Sequence, residues 1–357
     1  MTAYDAIVVV SFGGPEGPDD VVPFLENVTR GRGIPRERLE EVGAHYQLFG
    51  GVSPINDQAR ALVAALETQL RANGPALRVY WGNRNWHPYL VDTIRQMRDD
   101  GVQRALAFVT SAYSSYSACR QYLDDIARAR NEVGPDAPTV DKIRQFYDHP
   151  GFVEPMARNL RTAVDSLPAE HRGHARIVFS AHSVPLSMAT SSAYVPQLLE
   201  ASRLVAERGA PELTDHGRDL DLVWQSRSGP PQVPWLEPDV GDHLETLARG
   251  GTQAAVVVPI GFISDHMEVV YDLDTIAVPR GRDAGLAVAR AATVGTDPQF
   301  VAMIRELVLE RTDEQQPRRA LGSLGLQPDT CAAGCCPAPP VRPGADASGG
   351  GNAPPPV

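Results

Sequence analysis

Short apolar runs alternate along this chain with longer stretches whose apolar residues recur every three or four positions. "AIVVVSF" (6–12) comes first, then the amphipathic "SPINDQARALVAALETQLRANG", then "LRVYWGN", "VDTIRQMRDDG" and "RALAFVTSAY". Runs this short and rich in Val predict strands buried on both faces, and the helical periodicity between them predicts covering helices. That alternation predicts an α/β fold with a parallel sheet flanked by helices, whose ligands bind at the carboxyl ends of the strands. Past about residue 155 the cycle restarts. "ARIVFSAH", "LDLVWQS", "AAVVVPIGF" and "LAVARAATV" are the later strands, "VPQLLEASRLVAERG" is one of the helices, and "PQFVAMIRELVLERT" closes the series. The expected organisation is therefore two similar units, 1–155 and 156–315, with a cleft between them. An extension over 316–336 follows, and then a tail over 337–357 too rich in Pro, Gly and Ala to bury anything, expected to be disordered.

Composition narrows the class. The 357 residues, 43% hydrophobic and 22% charged, suit a globular protein long enough for two cores. A net charge of -11 with no Lys/Arg block argues against nucleic acid as partner and for small molecules or metal ions. The opening "MTAYDAIVVVSFGGPEG" has no basic region and too short an apolar run for a signal peptide, and no run reaches the roughly 18 residues of a membrane helix. A cytoplasmic protein is expected. In that reducing compartment its four cysteines favour metal binding or reactivity over disulfides.

Three features carry candidate chemistry. The first turn, "SFGGPEGP", lacks G-x-G-x-x-G, and no Walker A lysine occurs anywhere, so nucleotide binding loses ground; a tight turn and a ligand-facing loop stay open. "SAHSVP" places His182 at the end of a strand, where α/β folds hold ligand contacts. "PIGFISDHMEVVYDLD" (259–274) also starts at a strand end and crowds Asp265, His266, Glu268, Asp272 and Asp274 together. Glu268 and Asp272, four apart, share one helix face, which costs stability unless something positive neutralises them. A solvated helix start explains such acids; so does a path for a divalent cation, hard oxygens handing over to imidazole. Finally, Cys119 and the group Cys331, Cys335 and Cys336 in "CAAGCC" number four, which suits an all-thiolate 2Fe-2S cluster or a zinc site.

The ordered set "SFGGPEGP", "TRGRGIP", "HYQLFGGVSPIND", "WGNRNWHP", "SAYSSYSACRQY", "FYDHPGF", "FSAHSVP", "WQSRSGPPQVPWLEP" and "IGFISDHMEVVYDLD" closely resembles the ferrochelatase family over residues 4–312. The resemblance implies two Rossmann-like, chelatase-type domains around a porphyrin cleft and a lyase that inserts Fe²⁺ into a porphyrin in haem synthesis. It implies His182 as the catalytic histidine, Glu268 as the acid facing it across the macrocycle, and Asp272 as the next station of the metal path. Where relatives carry another acid farther out, this chain has Ile276. Phe12, Arg30, Arg32, Ser53, Ser115 and Tyr116 match positions that line the pocket or hold propionates, although Ser53 before Pro54 also reads as a helix N-cap. Phe12 stands where several bacterial relatives have a tyrosine, so an axial oxygen from that site is lacking. Some family members bind a 2Fe-2S cluster through one cysteine of the first domain and three near the C-terminus, which implies Cys119, Cys331, Cys335 and Cys336 as its ligands here.

Coproporphyrin III is the favoured substrate, since the segment after "YQLFGGVSPIND" adds no hydrophobic lip and the Arg- and hydroxyl-rich motifs suit four propionates. Protoporphyrin IX is the alternative. A non-catalytic haem or porphyrin carrier is a rival that would have no use for Glu268 and Asp272, and insertion of Co²⁺ or Ni²⁺ into a related tetrapyrrole would use the same residues. A monomer with transient contacts to other haem-pathway enzymes is expected.

Overall fold

The computed structural model describes residues 4–31, 33–214, 220–229 and 231–338. The expectations for Arg32 and for nearly all of the C-terminal tail lie outside the described residues. Among the described residues, eight strands form two four-stranded parallel sheets. β1 (Ala6–Ser11), β2 (Arg78–Asn83), β3 (Arg104–Val109) and β4 (Thr139–Lys142) make the first, and β5 (Arg176–His182), β6 (Asp221–Gln225), β7 (Ala254–Val258) and β8 (Ala287–Arg290) the second. The spatial orders, β2-β1-β3-β4 and β6-β5-β7-β8, are the same topology used twice. This is the α/β architecture with flanking helices that the alternation predicts.

Each strand order reverses once, between β1 and β3 and between β5 and β7, and the crevice beyond such a reversal is where α/β sheets bind ligands. Ser11, Val109, His182 and Val258 end those four strands, so both crevices are lined by the stretches that carry the candidate chemistry. The central strands are apolar on both faces because helices cover both: every residue of β1 and β7 is buried. One continuous core runs from Ile7 and Val9 through Phe108, Phe146 and Phe152 to Phe179, Val256 and Phe300, joining the two sheets.

Two helices knit the halves together. Pro150–Ser166 runs straight through the expected boundary at 155, with His149 Nδ1 accepting from Gly151 N–H as its cap. Pro298–Thr312, the closing helix, packs on Ile55–Asn73 of the first half as well as on Pro150–Ser166. Polar contacts bridge the halves near the cleft: Tyr113 Oη donates to the Ile260 carbonyl at 2.7 Å, and Gln58 bonds both backbone groups of Asp265, at 2.6 and 2.8 Å. No helix among the described residues is long and apolar enough to cross a membrane.

Candidate active site

Between the two crevices lies an open cavity of about 980 Å³, counting the space at its mouth. Its first-half wall is Phe12, Phe24, Tyr46, Ser53, Arg84, Thr110, Ser115, Ser117 and Tyr122; its second-half wall includes His182, Tyr194, Phe262, Ser264, His266, Met267 and Glu268. Flat aromatic faces with hydroxyls at intervals suit a planar apolar ligand carrying polar groups on its rim.

His182 ends β5 and is 7% exposed. Its Nδ1 bonds the Ser183 carbonyl, so Nδ1 holds the proton of the neutral ring and Nε2 carries the free lone pair. Nε2 stands 3.5 Å from Glu268 Oε1, an ion-pair separation rather than a good hydrogen bond. Burial opposes charge on His182, but the Glu268 carboxylate outweighs it and holds the imidazole pKa above its ordinary value. Burial likewise works against the Glu268 carboxylate, and His182 more than offsets it, so that pKa lies below the usual range. The expectation had Glu268 facing His182 across a macrocycle; in this structure the two side chains touch.

Gln225, the last residue of β6, holds the Glu268 carbonyl at 2.8 Å, and Ser180 in turn bonds Gln225. Beyond Glu268 the chain enters a π-helical stretch, Val270–Ala277, a widened turn that keeps Asp272 close behind it. Asp272 accepts a short hydrogen bond from Ser226, whose backbone sits in the left-handed region at φ 60°. Burial is the main cause that lifts the Asp272 pKa, to about 7, and the Glu268 charge adds to it against the Ser226 bond. Asp265 and Asp274 turn away to Arg290, at 3.0 and 2.6 Å, so they leave the proposed metal path. His266 caps the turn that begins at Met267 and also lines the cavity; burial keeps its pKa low. Among the described residues, no three His, Cys, Asp or Glu side chains converge as ligands of one metal ion, His182, Glu268 and Asp272 included.

The rim expectations divide. Phe12, Ser53 and Ser115 line the cavity. Ser53 is no N-cap, because the helix Ile55–Asn73 begins after Pro54 and has no side-chain cap; the hydroxyl is instead 5% exposed beside Gly14. Ser115 does cap, accepting from Ala118 N–H at 3.0 Å at the start of a π turn, Tyr116–Arg120. Tyr116 lies outside this cavity and borders a second one with Arg120, Asp125 and Cys335. Arg30 is exposed near Tyr89 and outside the cavity lining.

Sequence reasoning passed over Arg84. Its guanidinium is 5% exposed, reaches Asp125 at 2.6 Å and lies over the rings of Phe12, at 5.8 Å, and Tyr122, at 4.6 Å. The "GNRNW" motif held it, but nothing local signals a partner 41 positions away in sequence. Tyr46 was likewise missed; burial and the Glu268 and Asp272 charges beside it hold its phenol protonated.

The four cysteines are free thiols that influence one another's ionisation, although among the described residues no three of them group as ligands of one metal ion. Cys119 lies buried in the π turn Tyr116–Arg120, and its hydrogen bond with Cys331, then burial, pushes its pKa well up. The same bond draws Cys331 down to about 7. Cys335 Sγ and Cys336 Sγ are 3.7 Å apart, and Cys336, at φ 50°, is 4% exposed, its pKa pushed up to about 12 by burial and by Cys335.

A sequence profile of the ferrochelatase family matches residues 4–312. The chain belongs to the ferrochelatase family. The coproporphyrin III ferrochelatase of Streptomyces coelicolor is 54% identical over 359 residues, covering 96% of each chain, and that of Frankia alni is 55% identical, covering 94% of this chain and 87% of the relative. A ferrochelatase of Rhodopirellula baltica is 51% identical and covers 96% of each. Among solved structures, SirB from Bacillus subtilis with Fe³⁺ superposes with a TM-score of 0.54 over 88% of this chain at 10% identity, which extends the fold beyond recognisable sequence. The ferrochelatase fold thus accounts for the doubled sheet order and for a cavity at both strand-order reversals.

Proposed function

We propose that this ferrochelatase inserts Fe²⁺ into coproporphyrin III, with His182 as proton acceptor and Glu268 as its partner. The observation that carries the reading is the pairing of buried His182 with half-buried Glu268 on the cavity wall, with Nδ1 anchored on the Ser183 carbonyl so that the basic nitrogen faces the space a macrocycle fills. A free-base porphyrin holds two N–H protons at its centre, which must leave as the metal enters. Nε2 accepts one, the imidazolium that forms is stabilised by Glu268, and once that proton has passed to solvent Nε2 accepts the second. Asp272, with a pKa near 7, is the next carboxylate outward and suits an incoming hard cation that sheds water on the way.

Coproporphyrin is favoured because Ser53, Thr110, Ser115, Ser117 and Ser264 border the cavity, hydroxyls suited to a tetracarboxylate. Arg30 and Arg32 belong to this reading as outer propionate contacts, and Tyr116 as a support behind Ser115. The relatives named for coproporphyrin III support the same choice. An anaerobic assay with Fe²⁺ and either coproporphyrin III or protoporphyrin IX, followed by loss of the free-base spectrum, tests it. Faster turnover of coproporphyrin is expected; a preference for protoporphyrin overturns the substrate, and turnover of neither brings back the carrier.

We also propose a 2Fe-2S cluster on Cys119, Cys331, Cys335 and Cys336. What supports this reading is the family resemblance, four free thiols and the 3.7 Å approach of Cys335 Sγ to Cys336 Sγ; as they stand among the described residues, no three of these thiols group as ligands of one ion, so binding must draw them together. When bound, the cluster ties the C-terminal segment to the first half. Iron and acid-labile sulfide in anaerobically purified protein, both lost in Cys336→Ser, are expected; zinc without sulfide refutes it.

A further inference from the structure

Gln197 lies on the helix Tyr194–Gly209 of the second half, 1% exposed and outside the cavity lining. Its side chain reaches across to the first half. The amide oxygen accepts from the Ser114 backbone N–H at 2.7 Å, and the amide nitrogen donates to the Ser114 hydroxyl at 3.0 Å. A backbone N–H can only donate, so it fixes which end of the amide faces it and leaves Nε2 for the hydroxyl. The same Nε2 reaches Gln327 Oε1 of the C-terminal extension at 3.3 Å.

This hold falls on the loop that leads from β3 into the π turn Tyr116–Arg120. Just before Ser114, Tyr113 is fastened to the Ile260 carbonyl, so two successive residues of the loop are tied to the second half. Just after it, Ser115 caps the turn, and Ser115 and Ser117 stand 3.3 Å apart on the cavity wall. The Ser115 oxygen accepts from Ala118 N–H, which leaves its own proton to donate into the cavity.

We infer that Gln197 is a positioning residue for the porphyrin carboxylates: by gripping both the backbone and the hydroxyl of Ser114, it sets where Ser115 and Ser117 present their hydroxyls. The inference rests on the reading above in taking those hydroxyls as propionate contacts. Propionates take no part in metal insertion, so contacts to them are alike in the ground state and the transition state. Losing such contacts raises KM and spares kcat.

The test compares wild type with Gln197→Met and Gln197→Glu in the anaerobic Fe²⁺ insertion assay, measuring KM and kcat for coproporphyrin III and protoporphyrin IX, together with urea unfolding. Gln197→Met, similar in shape but without either hydrogen bond, is expected to raise the KM of the preferred porphyrin about tenfold and to change kcat less than about threefold. Gln197→Glu still accepts from the Ser114 N–H and can accept from its hydroxyl. It is expected to restore most of the KM, although a buried carboxylate makes it the less stable protein. A folded Gln197→Met with unchanged KM overturns the inference, and so does a KM that follows urea stability across the two variants, since a purely structural role orders them that way. Wild type that prefers protoporphyrin overturns the substrate reading alone, because the Gln197 effect is then read on protoporphyrin; wild type that turns over neither sinks both. Should Gln197→Met misfold, Ser114→Ala, which loses only the hydroxyl bond, is expected to raise KM about threefold, and an unchanged value overturns the inference.

Discussion

Because the Ser183 carbonyl fixes the proton on Nδ1, the proposed role of His182 as proton acceptor falls to Nε2, and only while the ring is neutral. The folded pKa is raised above 6.5, so insertion should increase with pH through a value above 6.5 in wild type. Glu268→Gln removes the charge that raises it and leaves the burial that lowers it. The acidic limb of kcat against pH should therefore move to lower pH, with a smaller maximum; an unmoved limb would assign the titration to another group. His182→Ala should cost about 10²-fold or more in insertion, measured anaerobically, with porphyrin binding retained. Stability follows the same signs. His182 contributes fully below about 6.5 and loses its share as pH rises through its folded pKa; Glu268 contributes above about 4.5 and loses its share as pH falls through its folded value. At this scale His182 and Glu268 stood out in the sequence because such side chains are rare at strand ends, and the structure places both on the cavity wall. Arg84 and Ser226 were not, since what makes them important is a partner distant in sequence.

At the scale of elements, the alternating pattern gives seven of the eight described strands, with β3, β7 and β8 ending four residues before the apolar runs that mark them, and the helices Ile55–Asn73, Leu90–Asp99, Tyr194–Gly209 and Pro298–Thr312 within a residue or two, since each buries an apolar face. β4 escaped notice because "TVDK" is a short edge strand with polar residues. The helices Val21–Val28 and Arg36–Gln47, which roof one side of the cavity over Phe24, Leu25 and Leu39, follow a Gly/Pro stretch that reads as loop. Neither π turn has a sequence signal, although both carry site residues. The loop after β7 depends on one close approach. A Cβ on Gly261 would stand 2.6 Å from Ala181 Cβ and 2.8 Å from Ala181 Cα, and Gly261 N–H bonds the Ser180 carbonyl at 3.1 Å. Gly261→Ala must push that loop off β5, changing the spacing of Glu268 from His182. A destabilisation of about 1–3 kcal/mol by urea unfolding is expected, with a more than tenfold loss of kcat and a smaller change in porphyrin affinity. Unchanged kcat would mean that the loop relaxes without moving Glu268.

Across the whole molecule, the segment after the last helix straps the two halves, and its anchors have no signal in an extension that the sequence marks only by its cysteines. Arg144 of the first half meets Glu310 at 2.7 Å, both 1% exposed, and donates to the Arg319 carbonyl. The Leu321 N–H bonds the Asp148 carbonyl, Glu200 accepts from Ser323 N–H, and Gln197 joins Gln327 to Ser114 in the cavity loop. Beneath this strap Asp148 is fully buried, and burial, against the pull of Arg144, raises its carboxyl to about 6. A folded pKa above the unfolded one means that folding takes up a proton, so Asp148 favours the fold at low pH and loses that contribution as pH rises towards 6. The loss totals about 3 kcal/mol, of which roughly 1.4 kcal/mol falls between pH 5 and 7.5. Asp148→Asn cannot titrate. The stability of wild type relative to this variant, from urea unfolding, should therefore drop by about 1.4 kcal/mol between those two pH values. A difference that stays constant would mean that Asp148 is already ionised at pH 5, with Arg144 rather than burial setting its charge.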